Sequence, residues 1–393
     1  MVVPHSSADA ESAQARARLV AALREQGVIH SEPVAQAFLS VPREIFVTWF
    51  YEQQRQAPWA WEKRTPEGCA AADWIAAIYQ DRPLVMLVDE RQRAISSSSM
   101  PTVMAMMLEA LSVQPGMRVL EIGAGSGYNA ALLAHLTGDG AQVTTIELEE
   151  ELARTAHRAL SKTSGPVSVH VGDGRLGVPE RAPYERLIAT VSASDIPRAW
   201  YEHLAPGGRL VMDLQGSLQQ SSFLILDKAA DGSVRGRFDP RPLSFMPLRS
   251  TSEAGAARPV ARLLREPVSG EVTLSEQQAA LLHDASFLWF LQWEAPGMTL
   301  SRAKAMQGSH AGQDFLTLLD ANQETLLQLY HQDGYWSGRQ HGGAGVAGVW
   351  ETIERASEHW RNLGRPVLSA YEVVWDEQQE RCMLVCGQRA FPL

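Results

Sequence analysis

Ten residues, Val119-Leu120-Glu121-Ile122-Gly123-Ala124-Gly125-Ser126-Gly127-Tyr128, carry the densest chemical signal in the chain. A short apolar run enters a turn holding three glycines, and an apolar helix is expected from Asn129 to Leu136. Glycines let the backbone turn tightly and approach a ligand closely, and the helix start beyond them offers unpaired N–H groups. The dinucleotide fingerprint is Gly-x-Gly-x-x-Gly and the ATP loop closes on Gly-Lys-Ser/Thr, so the Gly-x-Gly-x-Gly spacing fits neither phosphate motif. An acid, Glu121, two positions before the first glycine suits a ligand without phosphates but with an amino-acid tail. S-adenosylmethionine is therefore the expected cofactor. Plain strand-to-helix connections use the same glycines, so the motif needs company.

Two further acids supply it. Glu147 ends the next expected strand, about 20 residues beyond the glycine turn, where a carboxylate can accept both ribose hydroxyls. Asp173, in Val171-Gly172-Asp173-Gly174, follows the strand after that and suits the adenine amino group, with an ordinary Asp-Gly turn as the rival reading. All three acids fall at C-terminal strand ends, where open α/β sheets bind ligands. Glu149, Glu150 and Glu151 read more simply as a negative first helical turn. Upstream, Ser96-Ser97-Ser98-Ser99 is expected as a loop beside this end of the sheet, its hydroxyls and N–H groups able to hold a substrate carboxylate. The histidines fall singly, with no His-Glu-x-x-His, so no metal site is expected. No Gly-x-Ser-x-Gly elbow supports a hydrolase triad.

A wound α/β sheet must position these groups. Strands are expected at 118–122, 143–146, 167–171, 186–191, 209–214 and 223–226, with helices at 104–111, 129–136, 149–160 and 198–204. Ahead of them lie a helix over 11–26 and a second one capped by Ser31, with a proline in its first turn. Aromatic residues crowd between Trp49 and Tyr79 and are expected mostly in local packing. Ser250 to Pro259 reads as a linker. Beyond it, a strand near 287–293, another near 315–319, a glycine-rich loop over 334–348, a helix over 349–363 and a hairpin of 370–375 with 382–385 suggest an α+β unit. The expected division is a catalytic domain over 1–249 that includes the N-terminal helices, a linker over 250–260 and an accessory domain over 261–393, a candidate for substrate binding.

The 393 residues are 45% hydrophobic, enough to bury real cores. A net charge of -10 with scattered cations argues against a nucleic-acid partner. Cys69, Cys382 and Cys386 make no CxxC pair or disulfide framework. With no signal-like start and no apolar run of membrane-spanning length, a cytoplasmic location with no membrane partner is expected.

Val41-Pro42-Arg43-Glu44, the serine segment ending Ser99-Met100-Pro101, Val119 to Tyr128, Val171 to Gly174 and Pro206-Gly207-Gly208-Arg209-Leu210 occur in this order. In these features the chain resembles the protein-L-isoaspartate O-methyltransferase family from about Leu19 to Leu248. The resemblance implies a Rossmann-like methyltransferase sheet, S-adenosylmethionine as donor and a peptide carboxylate as acceptor. It assigns Glu121, Gly123, Ala124, Gly125, Ser126, Tyr128, Glu147, Leu148, Gly172, Asp173 and Gly174 to the cofactor, and Ser97, Ser98 and Ser99 to the acceptor. The family usually has Thr-Ile-Ser where this chain has Ser97-Ser98-Ser99, and its simple repair enzymes end near the equivalent of Leu248. Both departures look like the subgroup associated with ribosomally made, modified peptides such as lanthipeptides and graspetides. That implies methyl esterification of an aspartate in a macrocyclic precursor peptide, leading to succinimide and isoaspartate. Repair of isoaspartyl residues in damaged proteins and a non-catalytic cofactor-binding peptide-recognition module are the alternatives.

Overall fold

The computed structural model describes residues 7–54, 60–249, 260–304, 314–332, 334–343 and 348–393. Trp59 and the expected linker over Ser250 to Pro259 lie outside them.

Two helices open the chain, α1 (Ser7–Glu25) and α2 (Glu32–Ser40). The Ser31 side chain accepts from Val34 N, satisfying one of the N–H groups a helix start leaves unpaired. A small antiparallel sheet follows that the sequence reading does not anticipate. Its strands are β1 (Phe50–Gln53), β2 (Trp61–Arg64), then, after helix α3 (Ala71–Ile78), β3 (Leu84–Val88) and β4 (Ala94–Ser98), in the order β2-β1-β3-β4. The serine loop is corrected here: three of its four serines lie on β4, where Ser97 stands opposite Val85 and Ser98 opposite Leu84. The apolar strand β3 supplies the backbone partner that a polar serine run cannot advertise by its own pattern. Of the aromatic segment, Phe50, Trp74 and Tyr79 are buried in the core with Trp49 packed against it, while Tyr51 and Trp61 stay partly exposed; Phe50 and Trp74 stack at 5.4 Å.

Next come α4 (Pro101–Leu111), β5 (Val119–Ile122), α5 (Tyr128–Thr137), β6 (Val143–Glu147), α6 (Glu150–Thr163), β7 (Ser168–Val171), β8 (Tyr184–Ala193), α7 (Arg198–Glu202), β9 (Leu204–Gln215), β10 (Ser221–Lys228) and β11 (Val234–Asp239). Strands β7-β6-β5-β8-β9 are parallel, and β10 and β11 add antiparallel. Successive connections leave β5 in opposite directions, so the strand order reverses there and a crevice opens beyond its C-terminal end. The glycine turn sits in that crevice. Both faces of the sheet are covered, which is why β5 is buried at every position and reads as continuously apolar apart from Glu121.

From residue 260 onward lie α8 (Val260–Leu263), β12 (Val268–Ser275), α9 (Glu276–Ala279), α10 (Ala285–Glu294), β13 (Met298–Lys304), β14 (Asp314–Asp320), β15 (Thr325–Gln332), β16 (Tyr335–Gly342), α11 (Val349–Asn362), β17 (Glu372–Asp376), β18 (Arg381–Cys386) and β19 (Arg389–Pro392). Two expectations are overturned. Residues 287–293 form α10 rather than a strand, buried all round and started by the Asp284 carboxylate on the N–H groups of Ser286 and Phe287. The glycine-rich stretch contains β16, paired with both β12 and β15. There a side chain at Gly338 would collide with the Gln328 carbonyl, so glycine marks close strand approach rather than a turn.

The expected C-terminal hairpin forms, and it does more than close its own unit. Strand β17 pairs antiparallel with β11, so β17, β18 and β19 extend the cofactor-binding sheet to ten strands. Gln292 of α10 also grips the β9–β10 turn, accepting from Gln220 N and donating to Gln220 O. Among the described residues no helix is long and apolar enough to cross a membrane.

Candidate active site

The crevice beyond β5 is a cavity of about 590 Å³, within the usual range for small-molecule sites. Its floor is the glycine turn. Gly123, Gly125 and Gly127 take φ of +93°, +51° and +85°, conformations that L side chains rarely adopt. A β-carbon on Gly125 would lie 3.0 Å from the Ser97 carbonyl oxygen. The backbone of the serine segment thus rests directly on the cofactor turn.

Glu121 is fully buried on β5, its oxygens accepting from Asn129 Nδ2 at 2.7 Å and Thr145 Oγ1 at 2.6 Å. Burial pushes its carboxyl up to about 7, against the opposing pull of those two hydrogen bonds. Glu147 ends β6 with one oxygen on Gly125 N at 2.8 Å and the other on Glu149 N at 3.1 Å. It fixes the turn through the same carboxylate that faces the cavity.

The other expected residues divide. Ala124, Ser126, Tyr128, Leu148 and Gly174 line the cavity with Gly123 and Gly125. Gly172 and Asp173 do not line it. The Asp173 carboxylate caps the short turn over Gly174–Leu176 by accepting from Arg175 N at 2.9 Å. Ser97, Ser98 and Ser99 all line the cavity, with Ser98 the most deeply buried of the three.

Sequence reasoning missed three contributors. Asn129 reads as an ordinary first-turn helix residue, yet it holds Glu121 while its own Oδ1 is buried without a partner. Thr190, on β8, donates to the carbonyls of Ile122 and Gly123 and shapes the turn from beneath. The segment from Pro242 to Arg249 forms a wall of the cavity. It is tied down by Ser192, whose N–H donates to Met246 O and whose carbonyl accepts from Leu248 N, and by the buried carboxylate of Asp213, which accepts from Phe245 N at 3.0 Å. Burial raises the Asp213 carboxyl to about 6. The signal for this wall was three-dimensional, because the segment has no periodicity of its own. Arg249 closes it on α6 and β4, pairing with Glu149 at 2.7 Å and donating to Ile95 O at 3.4 Å.

These residues fit S-adenosylmethionine. A glycine cradle that a β-carbon would obstruct, two acids at adjacent strand ends and an orphaned buried amide oxygen match a ligand carrying hydroxyls and an ammonium group. Among the described residues no group of three or more His, Cys, Asp or Glu is placed to hold a metal ion.

Comparison with known proteins identifies the relatives of the chain. The family model for protein-L-isoaspartate(D-aspartate) O-methyltransferase (PCMT) matches residues 66–253. The protein-L-isoaspartate O-methyltransferase of Aeropyrum pernix is 39% identical over 237 residues, covering 60% of this chain and 79% of that protein. Its counterpart from Methanopyrus kandleri is 38% identical over 226 residues, covering 57% and 87%. A solved protein-L-isoaspartate O-methyltransferase shares the fold, with a TM-score of 0.54 over 95% of this chain and 99% of that one at 23% identity. The chain belongs to the protein-L-isoaspartate O-methyltransferase family and is an S-adenosylmethionine-dependent carboxyl methyltransferase.

Proposed function

We propose that the chain esterifies the side-chain carboxylate of an aspartate held in a constrained, ribosomally made peptide, such as a macrocyclic precursor. The observation that carries carboxylate transfer is the composition of the cavity. Its ionisable lining groups are Glu121, Tyr128, Glu147 and Arg249. Glu121, Glu147 and Arg249 are engaged with neighbours, and burial pushes the Tyr128 hydroxyl up. Among the described residues, no histidine or lysine lines the cavity to remove a proton. A carboxylate acceptor needs none removed, because it is ionised at neutral pH.

When bound, S-adenosylmethionine supplies an electrophilic methyl group on a sulfonium. The residues of the chain contribute position and dryness. The serine segment presents hydroxyls to the acceptor, the glycine turn carries the donor side, and the 242–249 wall excludes water. Ser97 and Ser99 orient the carboxylate without neutralising it. In the ester product, the following backbone nitrogen attacks the carbonyl and methanol leaves, closing a succinimide; hydrolysis then yields aspartate and isoaspartate.

The serine-rich segment in place of Thr-Ile-Ser supports the constrained aspartyl acceptor. The names of the relatives support isoaspartyl residues in damaged proteins equally well. Mass spectrometry with S-adenosylmethionine separates the two readings. Methyl gain followed by loss of methanol on a macrocyclic aspartyl peptide, with a linear isoaspartyl peptide inert, supports peptide tailoring. Methylation confined to the isoaspartyl peptide supports repair. Retention of cofactor and peptide with no methylated product would leave only a recognition module.

A further inference from the structure

Arg43, from the Val41-Pro42-Arg43-Glu44 motif, has no part in the function described so far, yet it occupies the costliest kind of position. Its side chain is fully buried, and among the described residues no carboxylate forms an ion pair with it. The neighbouring Glu44 is taken up by Ser12, Arg16 and the Tyr79 hydroxyl. Burial lowers the guanidinium to about 10, which still leaves it charged at neutral pH.

Backbone carbonyls surround it instead. Nη1 donates to Ile78 O at 2.8 Å and Gln80 O at 3.4 Å, and Nη2 donates to Ser99 O at 3.0 Å and to Ser98 O and Oγ at 3.3 and 3.4 Å. The guanidinium carbon lies 5.7 Å from the ring centroid of Tyr128 in the cofactor turn. One group thus touches Ser98 and Ser99 of the acceptor wall and Tyr128 of the donor wall, all three of which line the cavity. Peptide planarity extends the effect, because the planes whose carbonyls face Arg43 carry the N–H groups of Ser99 and Met100 on their opposite edges.

We propose that Arg43 is a positioning residue that fixes the acceptor segment and, through its unpaired buried charge, makes the cavity selective for an anionic acceptor over a neutral isostere. A packing role alone needs no charge there. In a water-poor interior the field of a fixed cation reaches groups a few ångströms away far more strongly than it does in solvent. This inference rests on the carboxylate reading above.

The test measures Arg43→Lys and Arg43→Met against the unaltered chain, using whichever of the isoaspartyl or macrocyclic aspartyl peptides the unaltered chain methylates, and the same peptide with that carboxylate replaced by a carboxamide. If the unaltered chain methylates neither, the carboxylate reading has failed and the role of Arg43 is not at issue. Otherwise, Arg43→Met should raise peptide KM by about tenfold or more with S-adenosylmethionine affinity nearly unchanged, and should flatten the preference for carboxylate over carboxamide in inhibition assays. Arg43→Lys keeps the charge but loses the fork, so it should retain much of that preference. Equal loss of affinity for both peptides in Arg43→Met, or unchanged KM and selectivity, would overturn the proposal. Should the methionine variant fail to fold, the lysine variant decides: a carboxylate preference lost despite a retained charge refutes it.

Discussion

Glu121→Gln replaces one carboxylate oxygen by an amide nitrogen at the centre of the site, and the burial of that group sets the sign of the result. The carboxyl of Glu121 moves from an ordinary 4.5 to about 7, chiefly because it is fully buried. Between those values the folded chain holds a proton that the unfolded chain has released. Stability therefore falls as pH rises through the window and levels off above it. At about 1.4 kcal/mol per pH unit, the whole effect is about 3 kcal/mol, most of it expressed between pH 5 and 8. Glutamine cannot ionise and keeps the shape. Its nitrogen would face Asn129, whose unpartnered Oδ1 can accept once that amide turns over. Urea unfolding of both proteins at pH 5 and pH 8, at constant ionic strength, should show the stability gap shifting by about 2–3 kcal/mol in favour of Glu121→Gln at the higher pH. A gap that stays constant with pH would refute the argument that burial raises this group, whatever the absolute stabilities.

Gly125→Ala places a β-carbon 3.0 Å from the Ser97 carbonyl at a φ of +51°, so calorimetry should show cofactor affinity weakened by about tenfold or more; unchanged affinity would mean the turn and the serine segment separate freely. Asp213→Ala strips the acceptor from Phe245 N, Ser222 N and Ser221 Oγ. It should cost about 2–3 kcal/mol in denaturant unfolding and raise peptide KM by loosening the 242–249 wall, and a stable variant with normal KM would show that wall to be held otherwise.

The cofactor half of the site was legible because its devices are local. A glycine turn after an apolar strand, and the acids Glu121 and Glu147 at or next to strand ends, appear in sequence as they do in space, whereas Asp173 caps a turn outside the cavity. The parts that escaped depend on partners distant in sequence. Serines on β4 look like a loop until β3 lies beside them, and the 242–249 wall has no pattern apart from the Asp213 carboxylate and Ser192 backbone that hold it. Period failed in the apolar run of α10, which is buried all round and therefore shows neither helical nor strand alternation. Its Asp284 cap was the available signal. Glycine misled at β16, because the residue that permits a turn also permits two strands to approach closely.

The pairing of β17 with β11 bears on how this chain can be made and cut. The outer edge of the cofactor-binding sheet is completed by residues synthesised more than a hundred positions after β11. During translation, β11 is paired with β10 on one side but must wait with the N–H and C=O groups of its outer edge unpaired, an open template for other strands. A fragment ending at Leu248 would keep that edge permanently bare and would also lose the Gln292 grip on the β9–β10 turn. Such a fragment is expected to associate through β11 rather than report on peptide recognition. Shortening this chain would therefore require a covered or charged β11 edge before any loss of activity could be assigned to a missing substrate contact.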